Sequence, residues 1–315
     1  MSADVRHDFL DRDISEIAGS LLAAELPDRD AIASGARIGG YRVLHELGRG
    51  GMGVVYLAER DGRAAAANAG RVALKILRHD MEMDETSLRR FREERRILAS
   101  LQHPGIARLF DEGVTDDGRP WFAMEFVDGI PIDVYASLRG LVLPARLELF
   151  ARVCDAVEHA HSQSIIHRDL KPSNVLVDVA GNVRLLDFGI AKATSPLGEG
   201  VATRTGQGRL TPEYASPEQL RGLRVTPASD VFALGVLLYK LLTGRRPFRT
   251  RRCGLGALLD RLGLQPPRLG DGFPPALDAI TRKALQRKPE HRYATAGAFA
   301  AHVRAALSQF PARQV

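Results

Sequence analysis

The sequence predicts an α+β chain of two unequal lobes, a small strand-rich one followed by a larger helical one. Three observations carry this expectation. At 315 residues the chain exceeds the comfortable size of a single-cored domain, so two lobes or domains are the prior. Residues 41–127 hold five short β-branched or aromatic runs bounded by Gly, Asp and Pro, the mark of strands. From about residue 131 onward, apolar residues recur at helical spacing instead.

Taken in order, residues 1–35 form an acidic extension. Within it Leu10, Ile14, Ile17 and Leu21 recur at helical spacing, and Asp13 with Glu16 resembles a capping box, which predicts a short amphipathic helix. Pro27 and "ASGARIGG" end it and lead into residues 36–127. There the strands are "YRVLHELG", "GVVYLAE", "RVALKIL", "IARLFDEGV" and "RPWFAMEFV", with "DGRAAAANAG" as an exposed loop. One helix interrupts them, in "DETSLRRFREERRILASLQ", where Leu88, Phe91, Ile97, Leu98 and Leu101 line a face opposite charged residues. Residues 128–315 form the helical lobe, with helices predicted at 144–163, 227–243, 274–286 and 294–309. Polar loops between 165 and 218 break the pattern. "IIHRDLKPSNVLV", at 165–177, sets charged groups between two apolar runs that read as short buried strands. Polar groups fixed in this way are usually there for chemistry.

Composition narrows the function classes. A chain that is 45% hydrophobic and 26% charged is globular, neither disordered nor fibrous. The net charge of +6 would attract nucleic acid, an anionic membrane or a phosphate-bearing ligand alike. Against nucleic acid, there is no aromatic and basic interleaving and no reader motif; Arg245, Arg246, Arg249, Arg251 and Arg252 read as a solvated face. Against a membrane span, the longest apolar run, "VFALGVLLY", falls far short of the roughly 20 residues required. The N-terminus carries acids where a secretory signal has cations, and Cys154 and Cys253 offer neither metal spacing nor a disulfide framework. A cytoplasmic location is the expectation.

The chemistry-bearing residues come in pieces. Gly48, Gly50 and Gly53 have GxGxxG spacing between two strands, where glycines let backbone N–H groups approach phosphate oxygens. A dinucleotide site would need a helix directly afterwards, and a strand follows here; a plain glycine-rich hairpin is the alternative. Lys75 sits in an apolar strand and needs an acid to be buried, with Glu94 and Glu93 both available on the helix. Asp169 and Asn174 are five residues apart, and Asp187 follows a further apolar strand. One carboxylate can take a hydroxyl proton, while a second carboxylate and an amide oxygen are hard ligands suited to Mg²⁺. Lys171 can offset developing negative charge.

Together, "GRGGMGVV", "VALK", "HRDLKPSN", "DFG", "ASPEQ" and "SDVFALGVLLYKLLTGRRPF" resemble the bacterial eukaryotic-like (Hanks-type) Ser/Thr protein kinases, in that family's order, over residues 41–309. The resemblance implies the bilobal protein-kinase fold, with an antiparallel sheet and one helix in the small lobe, and an enzyme phosphorylating protein substrates from ATP. It implies that Leu47, Gly48, Gly50, Gly51, Gly53, Val55 and Ala73 enclose ATP, and that Met124, Glu125 and Val127 supply the gatekeeper and the adenine-binding hinge. Lys75 would contact the α- and β-phosphates and pair with Glu94, favoured over Glu93 as the last residue of "FREE", nine residues before His103. Asp169 would be the catalytic base, Lys171 a γ-phosphate contact, and Asn174 and Asp187 the ligands of Mg²⁺, with Mn²⁺ as its substitute. Lys171 and Thr211 mark the Ser/Thr form. Thr203 and Thr205 lie where relatives autophosphorylate, Ser195 being a weaker candidate; dimerisation during that step is compatible with the pattern, and Arg168 could pair with the added phosphate. Structural roles fall to a Glu218–Arg292 ion pair, to Asp230 as a brace of the catalytic loop, and to His167 as a backbone contact. A silent nucleotide-binding scaffold and a small-molecule phosphotransferase are the rival readings.

Overall fold

The computed structural model describes residues 30–50, 53–61, 70–78, 101–188, 213–248 and 265–308. Outside these lie the expected N-terminal helix, most of the 84–102 helix with Glu93 and Glu94, the 62–69 insert, Gly51, Ser195, Thr203, Thr205, Thr211, Cys253, and Arg249, Arg251 and Arg252.

A six-stranded antiparallel sheet opens the described fold. Its strands are β1 (Arg37–Ile38), β2 (Tyr41–Gly50), β3 (Gly53–Arg60), β4 (Arg71–Leu77), β5 (Leu109–Val114) and β6 (Pro120–Glu125), in the order β1-β2-β3-β4-β6-β5. Side chains alternate across each strand, and this separates two cores. Val54, Tyr56, Val72, Leu74, Ile76 and Trp121 pack on one face. Val55, Ala73, Leu77, Phe122 and Met124 face the other way, into the large core that also contains Ile106 and Leu185. Period two therefore puts Lys75, between Leu74 and Ile76, on the face of Ala73 and Leu77.

A three-stranded sheet, β7 (Gly129–Pro131), β8 (Val175–Asp178) and β9 (Val183–Leu185), completes the described strands. The helices are α1 (Ile132–Leu138), α2 (Leu143–Ser162), α3 (Pro217–Leu220), α4 (Pro227–Thr243), α5 (Pro275–Ala284) and α6 (Ala296–Leu307), with 3₁₀ turns at Pro172–Asn174 and Pro289–His291. Helix α4 is the apolar run "VFALGVLLY" and is buried from Ser229 to Leu238. It starts at a Thr226–Ser229 capping box and stops at Gly244, whose φ of 71° is the left-handed ending glycine supplies cheaply. Gly235 lets α5 approach, since a Cβ there would meet the Ala284 Cβ at 2.9 Å. On the far side, α6 closes on α2 through Phe299, whose ring meets Phe150 edge-on at 5.3 Å and stacks on Tyr293 at 4.9 Å; truncating Phe150 would cost roughly 3–5 kcal/mol.

The four predicted helices of this lobe are present within two residues of their expected ends, while β7, α1 and the single-turn α3 add to them. One expectation fails. Ile165 and Ile166 belong to no strand, because the Ile165 N–H turns back to the Ala160 carbonyl, 3.0 Å away, and finishes α2. "VLV" does form β8.

Candidate active site

The loop from 166 to 174 is held from three directions. Asp230, buried in the first turn of α4, accepts the backbone N–H groups of His167 (2.7 Å) and Arg168 (2.9 Å), and its Oδ2 meets His161 Nε2 at 2.8 Å. The His167 ring is buried and uses both nitrogens: Nε2 donates to the Leu186 carbonyl (2.9 Å) and Nδ1 accepts the Asp169 N–H (3.3 Å). This pattern assigns the neutral Nε2–H tautomer. Burial holds the His167 pKa below its ordinary value, against the opposing pull of Asp230, Asp169 and Asp187. Finally, the Leu186 N–H donates to the Asn174 carbonyl at 2.8 Å, tying the approach to Asp187 to the end of the loop.

These ties converge on Asp169. Its Oδ2 accepts from Asn174 Nδ2 at 3.2 Å and pairs with Lys171 Nζ at 3.1 Å, while its backbone carbonyl accepts the same Asn174 amide at 2.8 Å. The amide nitrogen of Asn174 is thus committed to Asp169, which leaves Oδ1 as the atom able to ligate. Lys75 Nζ reaches Asp187 Oδ2 at 2.6 Å, with the lysine side chain only 13% exposed, and lies 5.6 Å from the Phe122 ring centre. An acid thus meets the half-buried lysine, as largely apolar surroundings demand, and it is Asp187 among the described residues. Arg168 and Asp187 both have positive φ, 64° and 48°, conformations that cost non-glycine residues energy and concentrate at functional sites.

The glycines lie on the hairpin of β2 and β3. Gly48 faces Val55 and Gly50 faces Gly53 across β2 and β3, with a register shift between Glu46 and Gly48. The three glycines differ in their physical reason. A Cβ on Gly53 would meet the Ile76 carbonyl oxygen at 2.2 Å, so β4 itself excludes a side chain. At Gly48 and Gly50 an added Cβ meets nothing within 4 Å, and neither has positive φ. The fold does not require glycine there; close approach of a ligand backbone or phosphate would. Leu47 beside them is 43% exposed. Val55 stands opposite Lys75 and Ala73 opposite Met124 in the sheet, and the Glu125 N–H donates to the Arg108 carbonyl where β6 ends and the chain runs on through Val127.

Farther out, Glu218 and Arg292 form a bidentate pair at 2.7 and 2.9 Å. Arg292 also donates to the carbonyls of Gln286, Ala228 and Arg287, so all five of its N–H groups are used. Sequence reasoning missed Gln219, whose Nε2 donates to the Arg168 carbonyl at 2.9 Å. A glutamine three residues after a serine signals a helix cap, and nothing in the pattern shows its second bond.

The chain matches the protein kinase domain family over residues 41–301. It is 40% identical over 285 residues to the serine/threonine-protein kinase Pkn1 of Myxococcus xanthus, covering 87% of this chain and 39% of that protein. Serine/threonine-protein kinase PrkC of Bacillus subtilis (strain 168) is 38% identical, covering 87% of this chain and 41% of its own length. Among solved structures, a PknI kinase domain of Mycobacterium tuberculosis superimposes with a TM-score of 0.68 at 30% identity, covering 89% of this chain and all of that one. The chain thus spans about two fifths of the length of these curated relatives.

Proposed function

The chain belongs to the protein kinase domain family, in its bacterial Hanks-type Ser/Thr branch, and from that premise we propose that it transfers the γ-phosphoryl group of ATP to Ser and Thr hydroxyls of proteins. The observation that carries the reading is Asp169 Oδ2 held between Asn174 and Lys171, at 3.2 and 3.1 Å, on a loop braced by Asp230.

In the proposed reaction Asp169 orients the acceptor hydroxyl and takes its proton. The hydroxyl oxygen bonds to the γ-phosphorus, the bond from that phosphorus to the β–γ bridging oxygen breaks, and ADP leaves with the electron pair. Asp169 then returns its proton to solvent. Lys171 steadies the γ-phosphoryl oxygens and Lys75 the α- and β-phosphates, so the protein contributes position and charge and forms no covalent bond. Gly48, Gly50, Gly51 and Gly53 cover the phosphates; Leu47, Val55, Ala73, Met124, Glu125 and Val127 bound the adenine. Asn174 Oδ1 and the Asp187 carboxylate are hard oxygen donors that fit a divalent cation, Mg²⁺ or Mn²⁺ in its place. Such an ion, when bound, neutralises phosphate charge.

Further parts of the proposal follow from the family. Glu94 is assigned to Lys75 in the active state, Thr203 and Thr205 as autophosphorylation sites, with dimerisation during that step, and the cytoplasm as the location. Among the described residues no helix is long and apolar enough to cross a membrane. The chain is divided into an extension (1–35), a small lobe (36–127) and a large lobe (128–315).

Label transfer from γ-labelled ATP to a Ser/Thr-containing acceptor protein tests the reading. Wild-type transfer that drops at least 100-fold in Asp169→Asn, with ATP binding kept, is expected; equal transfer by both chains would refute Asp169 as the base.

A further inference from the structure

Arg168, the residue before Asp169, holds a left-handed backbone at φ 64°, which a non-glycine residue keeps only when its surroundings over-determine it. Both of its peptide groups are fixed by side chains from elsewhere. Its N–H is bound by Asp230 Oδ1 (2.9 Å), and its carbonyl by Gln219 Nε2 (2.9 Å) from α3, 51 residues away in sequence. The other end of the Gln219 amide is fixed as well. Oε1 accepts the Ser216 N–H at 3.0 Å, and the Gln219 N–H donates to Ser216 Oγ at 3.4 Å, a reciprocal cap of α3. The amide therefore cannot be turned round without losing both bonds, and its neighbour Glu218 is tied to Arg292 instead.

We infer that Gln219 is a positioning residue that clamps the Arg168 carbonyl and so sets the direction of Asp169; this rests on the kinase reading above. The cap and the clamp make different demands. A glutamate at 219 keeps the cap, since a carboxylate oxygen accepts the Ser216 N–H and suits a helix N-terminus. It cannot donate, so a carboxylate oxygen would face the Arg168 carbonyl. Gln219→Glu thus removes the clamp and keeps the cap, while Ser216→Ala weakens the cap and leaves the Gln219 to Arg168 bond in place.

The test compares wild type, Gln219→Glu and Ser216→Ala on three readouts: the melting midpoint, kcat with KM for ATP in the label-transfer assay, and amide hydrogen exchange across residues 165–174. For Gln219→Glu the expected result is a midpoint lower by a few degrees, since the Arg168 carbonyl loses its donor, KM for ATP within about twofold, kcat lower by roughly tenfold, and faster exchange in that segment. Ser216→Ala is expected to melt a few degrees lower and keep its kcat. Wild-type kcat and exchange in Gln219→Glu would overturn the inference, as would an equal loss of kcat in Ser216→Ala. Should wild type transfer no phosphate, the kinase reading fails, and the exchange comparison still decides whether the clamp exists.

Discussion

Replacing Arg292 with methionine is the perturbation whose cost follows most directly from the structure. The guanidinium is fully buried, and the Glu218 side chain facing it is 6% exposed. Five N–H groups disappear at once, two from the carboxylate and three from the carbonyls of Gln286, Ala228 and Arg287. Methionine fills much of the volume over the Phe232 ring, where the guanidinium carbon now sits 5.0 Å from the centre, so most of the loss is electrostatic. Glu218 would keep the Ser229 hydroxyl, at 2.7 Å, as its remaining side-chain donor. Breaking a buried pair from one side costs about 3–5 kcal/mol, because the other charge stays behind. The pH dependence supplies the sign. In wild type, burial pushes the Glu218 pKa up, but the Arg292 and Ser229 bonds outweigh it and hold the group below its ordinary value of 4.5. Its contribution is then present above the unfolded pKa and lost as pH falls through the folded one. Without Arg292, burial dominates, the folded pKa rises above the unfolded value, and the variant gains relative stability as it takes up a proton. Urea unfolding of both chains should therefore show a gap of about 3–5 kcal/mol at pH 7 that narrows toward pH 4.5. A gap below about 1 kcal/mol, or one independent of pH, would mean that the Glu218–Arg292 pair does not stabilise the fold in this way.

Three further outcomes are expected. Gly53→Ala should destabilise by roughly 1–3 kcal/mol, as overpacking against the Ile76 carbonyl requires, whereas Gly48→Ala should unfold like wild type yet raise KM for ATP severalfold; matched unfolding of the two variants would contradict this. Asp230→Asn keeps a single side-chain oxygen for three donors, so a loss of roughly 3 kcal/mol and a fall in kcat should appear together in denaturation and turnover assays. The folded pKa values of His167 and His103 lie below the ordinary 6.5, through burial at both and through the stacked His159 at His103. Their stabilisation is complete above pH 6.5 and is lost as pH falls through the folded values; unfolding followed from pH 7 to 5 should show this decline, and His167→Gln should flatten it.

Much of this site is legible in the sequence, for a physical reason. The strands carrying Lys75, Val55 and Met124 announce themselves because one face must be apolar and the pleat has period two, and α4 announces itself as a continuous apolar run. Helix α1 was hidden by its shortness and by Pro131 at its start, which favours a turn reading equally well. Ile165 and Ile166 read as a strand because an apolar pair shows burial but not hydrogen-bond partners. Contacts at long range left no local trace. Lys75 finds Asp187 112 residues away, and Gln219 finds a carbonyl, which has no side-chain signature at all. Asp230 was recognisable only through its motif, although three bonds depend on it.

Phosphoryl transfer through Asp169 is decided by a mass-spectrometric map of the protein itself after incubation with γ-¹⁸O-labelled ATP and Mg²⁺, wild type beside Asp169→Asn. Labelled phosphate is expected on threonine or serine in wild type, at Thr203 and Thr205 first, and none in the variant. Equal labelling of both chains, or ATP binding without label on wild type or on any added acceptor, would contradict it.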